Sequence, residues 1–274
     1  MKRIIAPVDF SATAENAAIF AGSLAAFYGA DLWLYHAYEK MTAIPGYAYP
    51  IVSDGEMQAA AENELNEIKQ RVQSALRCSI NINIKADDSG LAEGLTALCG
   101  TLKADLVVMG LTGKNALARL VAGSNTLKII KELTYPVLVV PAKAVFEPVR
   151  KIGFASDYQQ VLETTPVQSL KKLVADFNAD LYVLNIVFNN SGLSVDKWNE
   201  SEQINELLKE LKPTYQTVMS NDVTNGINWY AQKEKLDWMV LVPRKHKLLE
   251  KLFLKSQTED LLYHTRMPIL CMHE

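Results

Sequence analysis

The sequence lacks the features that mark secreted, membrane-spanning and nucleic-acid-binding proteins. Its three cysteines, Cys78, Cys99 and Cys271, have no CxxC spacing, which argues against a disulfide framework and a zinc site. No run approaches the roughly 18 apolar residues that span a bilayer, and the N-terminus shows no signal-peptide pattern. The net charge of -3 offers no basic field to nucleic acid. We expect a cytoplasmic protein with neither a membrane nor a nucleic acid as partner.

The chain does contain a regular alternation of apolar strands and amphipathic helices. Strand patterns occur at residues 3–8, 31–37, 79–85, 105–109 and 137–140, and helical patterns at 13–28, 56–76, 91–102 and 124–133. Helices of this length between strands imply βαβ crossovers and a parallel sheet covered on both faces. The pattern therefore predicts an α/β fold.

The second half of the chain repeats the first. KIGFASDY (151–158) matches RIIAPVDF (3–10), and each places an aspartate, Asp157 or Asp9, after its strand. NADLYVLNIV matches GADLWLYHAY, LDWMVLVP matches ADLVVMGL, and MPILCM matches YPVLVV. A repeat of this length is a duplicated domain. We predict two consecutive doubly wound domains, residues 1–144 and 149–274, joined by the proline-flanked segment PAKAVFEP.

Two segments of the first half are candidates for binding a ligand. Asp9 follows the first strand, and a loop with Gly110, Gly113 and Gly123 follows the fourth, with Ser124 next. Open parallel sheets bind ligands beyond the carboxyl ends of their strands. Glycines allow positive φ and a close approach of backbone amides to an anion, and Ser124 is placed to cap a helix. Without the two common nucleotide motifs, the loop alone predicts either a phosphate cradle or a flexible turn.

The full spacing Gly-x2-Gly-x9-Gly-Ser, with the start Ile-Ile-x-Pro-x-Asp-x-Ser, resembles the universal stress protein family over essentially the whole chain, as two copies. The resemblance implies five-stranded parallel sheets in the order 3-2-1-4-5 with helices on both faces. It also implies that the first domain binds ATP, ADP or AMP, with Mg²⁺ as a candidate companion of the phosphates. The implied nucleotide-binding residues are Pro7, Val8, Asp9, Ala37, Met109, Gly110, Thr112, Gly113, Gly123, Ser124, Asn125 and Thr126. For Asp9 the alternative is an aspartate that satisfies local amides at a helix start.

The second copy departs from the glycine pattern. When Asp237 is aligned with Asp105, every glycine of the loop is replaced. Proline lacks an amide donor, and bulky residues resist the backbone turns that a phosphate cradle needs. The expected replacements are Pro243 for Gly110, His246 for Gly113, Ser256 for Gly123 and Gln257 for Ser124. We therefore predict that the second domain does not bind ATP in the family manner, although it keeps Asp157.

Three functions are compatible with these patterns. The first is a tandem universal stress protein that senses or holds an adenine nucleotide in a stress response, with slow ATP hydrolysis at most. The second is a nucleotide-free interaction scaffold. The third is an adenylating enzyme, for which the chain offers no pyrophosphate motif, and we predict no catalytic residue and no metal site. The resemblance further implies that the apolar last strands, PVLVV and PILCM, pair the two domains into an internal pseudo-dimer, which could dimerise further.

Several side chains are assigned ordinary structural roles. His36 is expected to be a satisfied interior histidine, and Asp87 and Asp88 to close a strand before a turn. The tyrosine-rich loop at 39–58 is either a lid over the base or a surface connection. The basic segment 243–255 is expected to be a solvated helix. Core or interface positions are expected for Trp198, Trp229 and Trp238.

Overall fold

The computed structural model describes residues 1–38, 53–111, 124–187, 195–243, 261 and 265–273. The chain divides into two compact units, the first ending at Phe146 and the second beginning at Glu147. No helix within the described ranges is both long and apolar enough to cross a membrane.

The first unit is built on a parallel sheet with the strand order β3-β2-β1-β4-β5. Its strands are β1 (Arg3–Pro7), β2 (Asp31–Ala37), β3 (Ile82–Asp87), β4 (Leu106–Leu111) and β5 (Val137–Pro141). Its helices are α1 (Ala12–Tyr28), α2 (Asp54–Ala75), α3 (Leu91–Leu102) and α4 (Ser124–Glu132).

The second unit repeats this topology with the order β8-β7-β6-β9-β10, again with parallel pairs. Its strands are β6 (Lys151–Ala155), β7 (Asp180–Val187), β8 (Thr214–Met219), β9 (Trp238–Leu241) and β10 (Ile269–Cys271). Its helices include α5 (Val161–Thr164), α6 (Val167–Phe177), α7 (Val195–Leu208) and α8 (Val223–Glu234). The predicted fold class, two doubly wound α/β domains with the order 3-2-1-4-5, is confirmed.

Helix α1 shows why the first unit packs closely. Ser11 begins it by accepting a hydrogen bond from the Ala14 amide (3.2 Å), and Gly29 ends it in the left-handed conformation at φ 62°. Most of its buried residues are alanine, so the helix axis can approach the sheet. Ile4 and Ile5 of β1 are both at 0% exposure, and because successive strand residues point to opposite faces, both faces of the sheet are covered here.

At the amino edge of each sheet, an aspartate carboxylate accepts hydrogen bonds from two consecutive backbone amides. The Asp105 carboxylate accepts hydrogen bonds from the backbone amides of Lys2 (2.7 Å) and Arg3 (3.0 Å). In the second unit the Asp237 carboxylate accepts from the amides of Arg150 (2.7 Å) and Lys151 (2.9 Å). The sequence match of these aspartates is therefore also a structural match.

A core position, one of the two alternatives expected for Trp198, Trp229 and Trp238, is found for Trp238. Trp238 lies in the core at 2% exposure, whereas Trp229 is 56% exposed, so a core position for Trp229 is wrong. The buried side of α8 carries Ile227, Tyr230 and Ala231, and Trp229 lies off that side, with the Lys233 ammonium 5.2 Å from its ring. The side chain of Trp198 is outside the described residues.

Candidate functional site

The candidate site lies where β1 and β4 end side by side. The two strands are neighbours, as the family resemblance implies, and the strand order reverses between them. The ladder from β1 to β2 runs from Arg3 to Pro7, but the ladder from β1 to β4 covers only Ile4 and Ile5. Beyond Ile5 the two chain segments are therefore free to part, which is the position where doubly wound sheets form a ligand crevice.

Asp9 occupies a tight turn at this edge and is exposed. Its Oδ1 accepts hydrogen bonds from the Ser11 amide (3.1 Å) and the Ser11 hydroxyl (2.5 Å), an Asx-turn geometry. Between them Phe10 adopts the left-handed conformation at φ 60°, which is uncommon for a bulky residue. Asp9 therefore does satisfy a local amide, as the alternative expected, but the residue that caps helix α1 is Ser11 and not Asp9.

The second unit builds the same turn without the glycine loop. Asp157 Oδ1 accepts from the Gln159 amide at 3.1 Å, and Tyr158 is left-handed at φ 53°. Retention of Asp157 is therefore explained by local backbone geometry. The sequence signal for this turn is an aspartate followed by an aromatic residue after both strands, Asp9-Phe10 and Asp157-Tyr158.

His36 is joined to this turn from β2. Its Nδ1 lies 2.7 Å from the Val8 carbonyl oxygen, which only accepts, so Nδ1 carries the proton. The imidazole ring lies 4.4 Å from the Phe10 ring. His36 is half-buried, so it is satisfied as expected but is not fully interior.

Gly110 has no space for a side chain. A Cβ at this position would lie 2.5 Å from the Thr13 carbonyl oxygen and 2.9 Å from the Thr13 carbonyl carbon. Its φ is not positive, unlike that of Gly29, so the expected use of Gly110 for positive φ is wrong. Glycine is needed here because the end of β4 passes directly against the first turn of α1.

Helix α4 begins beside the same strand end. Thr126 is 3% exposed, and its hydroxyl donates to the Gly110 carbonyl oxygen at 3.2 Å. Asn125 is exposed, and Ser124 is the first residue of the helix. The bond from Thr126 fixes the start of α4 against β4, and a contact between the Thr126 hydroxyl and phosphate would require this bond to change.

The remaining implied residues are distributed along the same edge. Pro7 and Val8 are buried at the end of β1, and Met109 is 6% exposed within β4. Ala37 is half-buried at the end of β2. Thr112, Gly113, Gly123, most of the tyrosine-rich loop and all of the basic segment except Pro243 lie outside the described residues.

Strand register corrects the alignment of the second copy by one residue. The Val107 amide donates to the Pro136 carbonyl (2.9 Å), and the Met239 amide donates to the Pro268 carbonyl (3.1 Å), so matched positions are 132 apart on both strands. Val242, not Pro243, therefore stands in place of Gly110. By the same spacing in the sequence, Lys245 replaces Gly113, Lys255 replaces Gly123, and Ser256 keeps the serine of Ser124. The glycines are lost, as expected, but the serine is not.

A second polar cluster lies at the neighbouring carboxyl ends of β2 and β3. The Tyr35 hydroxyl donates to Asp87 Oδ1 at 2.9 Å, and the Ser89 amide donates to the same oxygen at 3.1 Å. Burial of Tyr35, followed by its hydrogen bond to Asp87, raises the pKa of the phenol well above its usual value. Asp87 closes β3 and leads a turn, as expected, and it also anchors Tyr35 over Gly94 of α3.

Comparison with known proteins identifies relatives of about half of the chain. The family model described as the universal stress protein family matches residues 1–141. A universal stress protein of Thermus aquaticus is 31% identical over 145 residues, which are 51% of this chain and 98% of that protein. A universal stress protein of Methanocaldococcus jannaschii is 28% identical over 141 residues, 51% of this chain and 81% of that protein.

Solved structures match the fold of both units. The crystal structure of a universal stress protein from Archaeoglobus fulgidus superposes with a TM-score of 0.72 at 14% identity, covering 99% of this chain and 98% of that one. A putative universal stress protein from Pseudomonas aeruginosa gives 0.61 at 16% identity, covering 100% and 93%. These identities support the fold alone, whereas the family model spans half of the chain. The chain belongs to the universal stress protein family.

Proposed function

We propose that the first unit binds an adenine nucleotide at the carboxyl ends of β1 and β4, as a sensing or regulatory module of a stress response in the cytoplasm. The observation that carries the proposal is the early end of the β1–β4 ladder, with the exposed Asp9 carboxylate on one side and Gly110 and the start of α4 on the other. The intact Gly-x2-Gly-x9-Gly-Ser spacing lies between Gly110 and α4.

The chemistry of this edge suits each part of a nucleotide. The first amides of α4 lack partners within the helix, and together with the helix dipole they favour phosphate oxygens. The Asp9 carboxylate is an acceptor for a ribose hydroxyl or the adenine amino group. Ala37, half-buried at the end of β2, would supply apolar surface towards the base, whereas the side chain of Val8 is 4% exposed and would contribute little. Mg²⁺, if bound, would offset phosphate charge, and the proposal contains no catalytic residue.

The second unit is not expected to bind in the same way. Val242 places a branched side chain where the first unit has only hydrogen, and lysines stand at the other two glycine positions. The β6–β9 ladder includes Phe154 and Val240, one residue beyond the matching end of the β1–β4 ladder. The two strands therefore stay joined further towards the carboxyl edge.

An interaction scaffold without nucleotide is the second candidate. It is favoured by the intrachain partners that Asp9 Oδ1 and the Thr126 hydroxyl already have. Nucleotide recovered from the purified, acid-precipitated protein separates the two candidates, because a scaffold retains none.

The proposed function also includes pairing of the two units through β5 and β10, supported by the apolar sequences of these strands. A crystal structure with the two strands apart would contradict that pairing.

Replacing Asp9 by alanine tests the carboxylate directly. We expect Asp9→Ala to weaken ATP binding about tenfold or more, since a hydrogen bond to a charged group contributes about 1.5–3 kcal/mol. Calorimetric titration of the full chain measures the change. Asp157→Ala is the matched control, because it removes the equivalent turn bond from the second unit.

A third variant separates charge from turn geometry. Asp9→Asn keeps a side-chain oxygen for the Ser11 amide and removes only the negative charge, so it should keep the turn while still weakening ATP binding. Unchanged affinity in Asp9→Ala, or equal losses in Asp9→Ala and Asp157→Ala, would contradict a ligand role for Asp9.

A further inference from the structure

We propose that His36 is a positioning residue of the nucleotide site, holding the turn formed by Asp9, Phe10 and Ser11 in the conformation that presents the Asp9 carboxylate. The inference rests on the proposed function, because it assigns His36 to the same site. His36 acts through Val8 and Phe10 and is not itself given a contact with the ligand.

The turn needs support because Phe10 is left-handed at φ 60°, a conformation in which an L side chain crowds its own backbone. Two contacts from β2 provide that support. The His36 Nδ1–H bond at 2.7 Å fixes the carbonyl of Val8, the residue before Asp9. The His36 ring at 4.4 Å, tilted by 41°, packs against the Phe10 ring and opposes its escape from the left-handed region.

Both backbone polar groups of Val8 are bonded to consecutive residues of β2, Tyr35 and His36. Its amide donates to the Tyr35 carbonyl at 2.8 Å, while its carbonyl accepts from the His36 side chain. The residue that precedes the Asp9 turn, Val8, therefore has both its amide and its carbonyl hydrogen-bonded. A change at His36 is expected to loosen the turn and not the core of β1, where Ile4 and Ile5 are at 0% exposure.

The second unit shows the same interaction, a side-chain N–H that donates to the carbonyl of the residue before the aspartate. Asn185 stands at the matching position of β7, is 3% exposed, and donates from Nδ2 to the Ser156 carbonyl at 2.8 Å. Ser156 precedes Asp157 as Val8 precedes Asp9, and Tyr158 is left-handed as Phe10 is. Two chemically different side chains therefore deliver an N–H to the same carbonyl, which identifies the donor as the required property of this position.

The test uses two substitutions that differ in that property. His36→Asn keeps an N–H donor, as in the second unit, whereas His36→Leu keeps similar bulk and removes it. Amide hydrogen exchange at Phe10 and Ser11 is measured in the nucleotide-free full chain, and ATP affinity is measured by calorimetry. We expect His36→Leu to accelerate exchange at both amides and to weaken ATP binding about tenfold, the loss of roughly one hydrogen bond. His36→Asn should restore both properties to within about threefold of the wild type.

The outcomes are distinguishable. Unchanged exchange and affinity in His36→Leu would overturn the proposal, and so would equal losses of affinity in His36→Leu and His36→Asn, since the donor would then be irrelevant. Exchange at the Ile4 and Ile5 amides shows whether each variant is folded. If the wild type binds no ATP, the proposed function fails and the assignment to a nucleotide site fails with it, while the exchange rates still show whether His36 holds the turn.

Discussion

Gly110→Ala is expected to destabilise the first unit and to abolish nucleotide binding together. The added Cβ would lie 2.5 Å from the Thr13 carbonyl oxygen, a backbone atom that cannot rotate away. Either β4 or the first turn of α1 must move, and overpacking of this kind costs about 2–3 kcal/mol. Thermal unfolding of the full chain should show the transition of the first unit lowered by roughly 5–10 °C. Binding should be lost because the displaced segments carry Asp9 and the entry to the glycine loop.

The control for Gly110→Ala is Gly55→Ala in α2, where an added Cβ meets nothing within 4 Å. There the substitution should leave binding unchanged and raise stability by up to about 1 kcal/mol, because alanine favours the helix. Thr13→Ala should not rescue Gly110→Ala, since the nearest atoms belong to the Thr13 backbone. A Gly110→Ala protein as stable as the wild type would show that β4 and α1 are not packed as described.

Gly94→Ala is expected to have a similar effect on stability through a side chain. Its Cβ would lie 1.9 Å from the Tyr35 hydroxyl oxygen and 3.1 Å from Asp87 Oδ1. Tyr35 is at 0% exposure, so its ring has no solvent to move into, and we expect a loss of about 3 kcal/mol. Denaturant unfolding of the full chain measures the loss.

A double-mutant cycle with Tyr35→Phe identifies the cause. Tyr35→Phe alone removes the hydrogen bond to Asp87 and should cost about 1.5–3 kcal/mol. It also removes the oxygen that blocks the new Cβ, so the double variant should be more stable than the sum of the single effects by about 1 kcal/mol or more. Gly100→Ala in the same helix is the control, since its Cβ would meet only the Tyr135 hydroxyl at 3.9 Å. Strict additivity would contradict the packing of Tyr35 on Gly94.

The alternation of strands and helices was predictable from hydrophobic patterning, whereas the strand order was implied by the resemblance to the universal stress protein family. The buried run Leu106–Leu111 and the alanine-rich α1 specify a covered parallel sheet, and the repeated aspartates Asp105 and Asp237 mark equivalent strand starts. Trp229 shows the limit of the pattern, because a helix of mixed polarity allows an aromatic residue on either side and only the packed neighbours decide.

The placement of the candidate residues at one edge of the sheet was predictable, but the contacts that these residues make were not. The spacing of Gly110 and Ser124 locates the carboxyl edge, yet the reason for glycine at 110 is the nearby backbone of Thr13, about a hundred residues earlier in the chain. The link from His36 to Val8 and Phe10 also depends on strands being brought together. Such contacts have no local sequence signature. The match of Asp237 with Asp105 already sets an offset of 132 residues, which assigns Val242 and not Pro243 to the Gly110 position, and the Met239–Pro268 bond has the same offset.

Calorimetric titration of the wild type and of Gly113→Val with ATP, in the presence and absence of Mg²⁺, tests the central claim most directly. Gly113 lies outside the described residues and is chosen from the Gly-x2-Gly-x9-Gly-Ser spacing. The expected result is one site per chain in the wild type and none in the variant, because only the first unit keeps the glycines. Two equivalent sites per chain would contradict the assignment to the first unit, and no binding by the wild type would contradict nucleotide binding altogether.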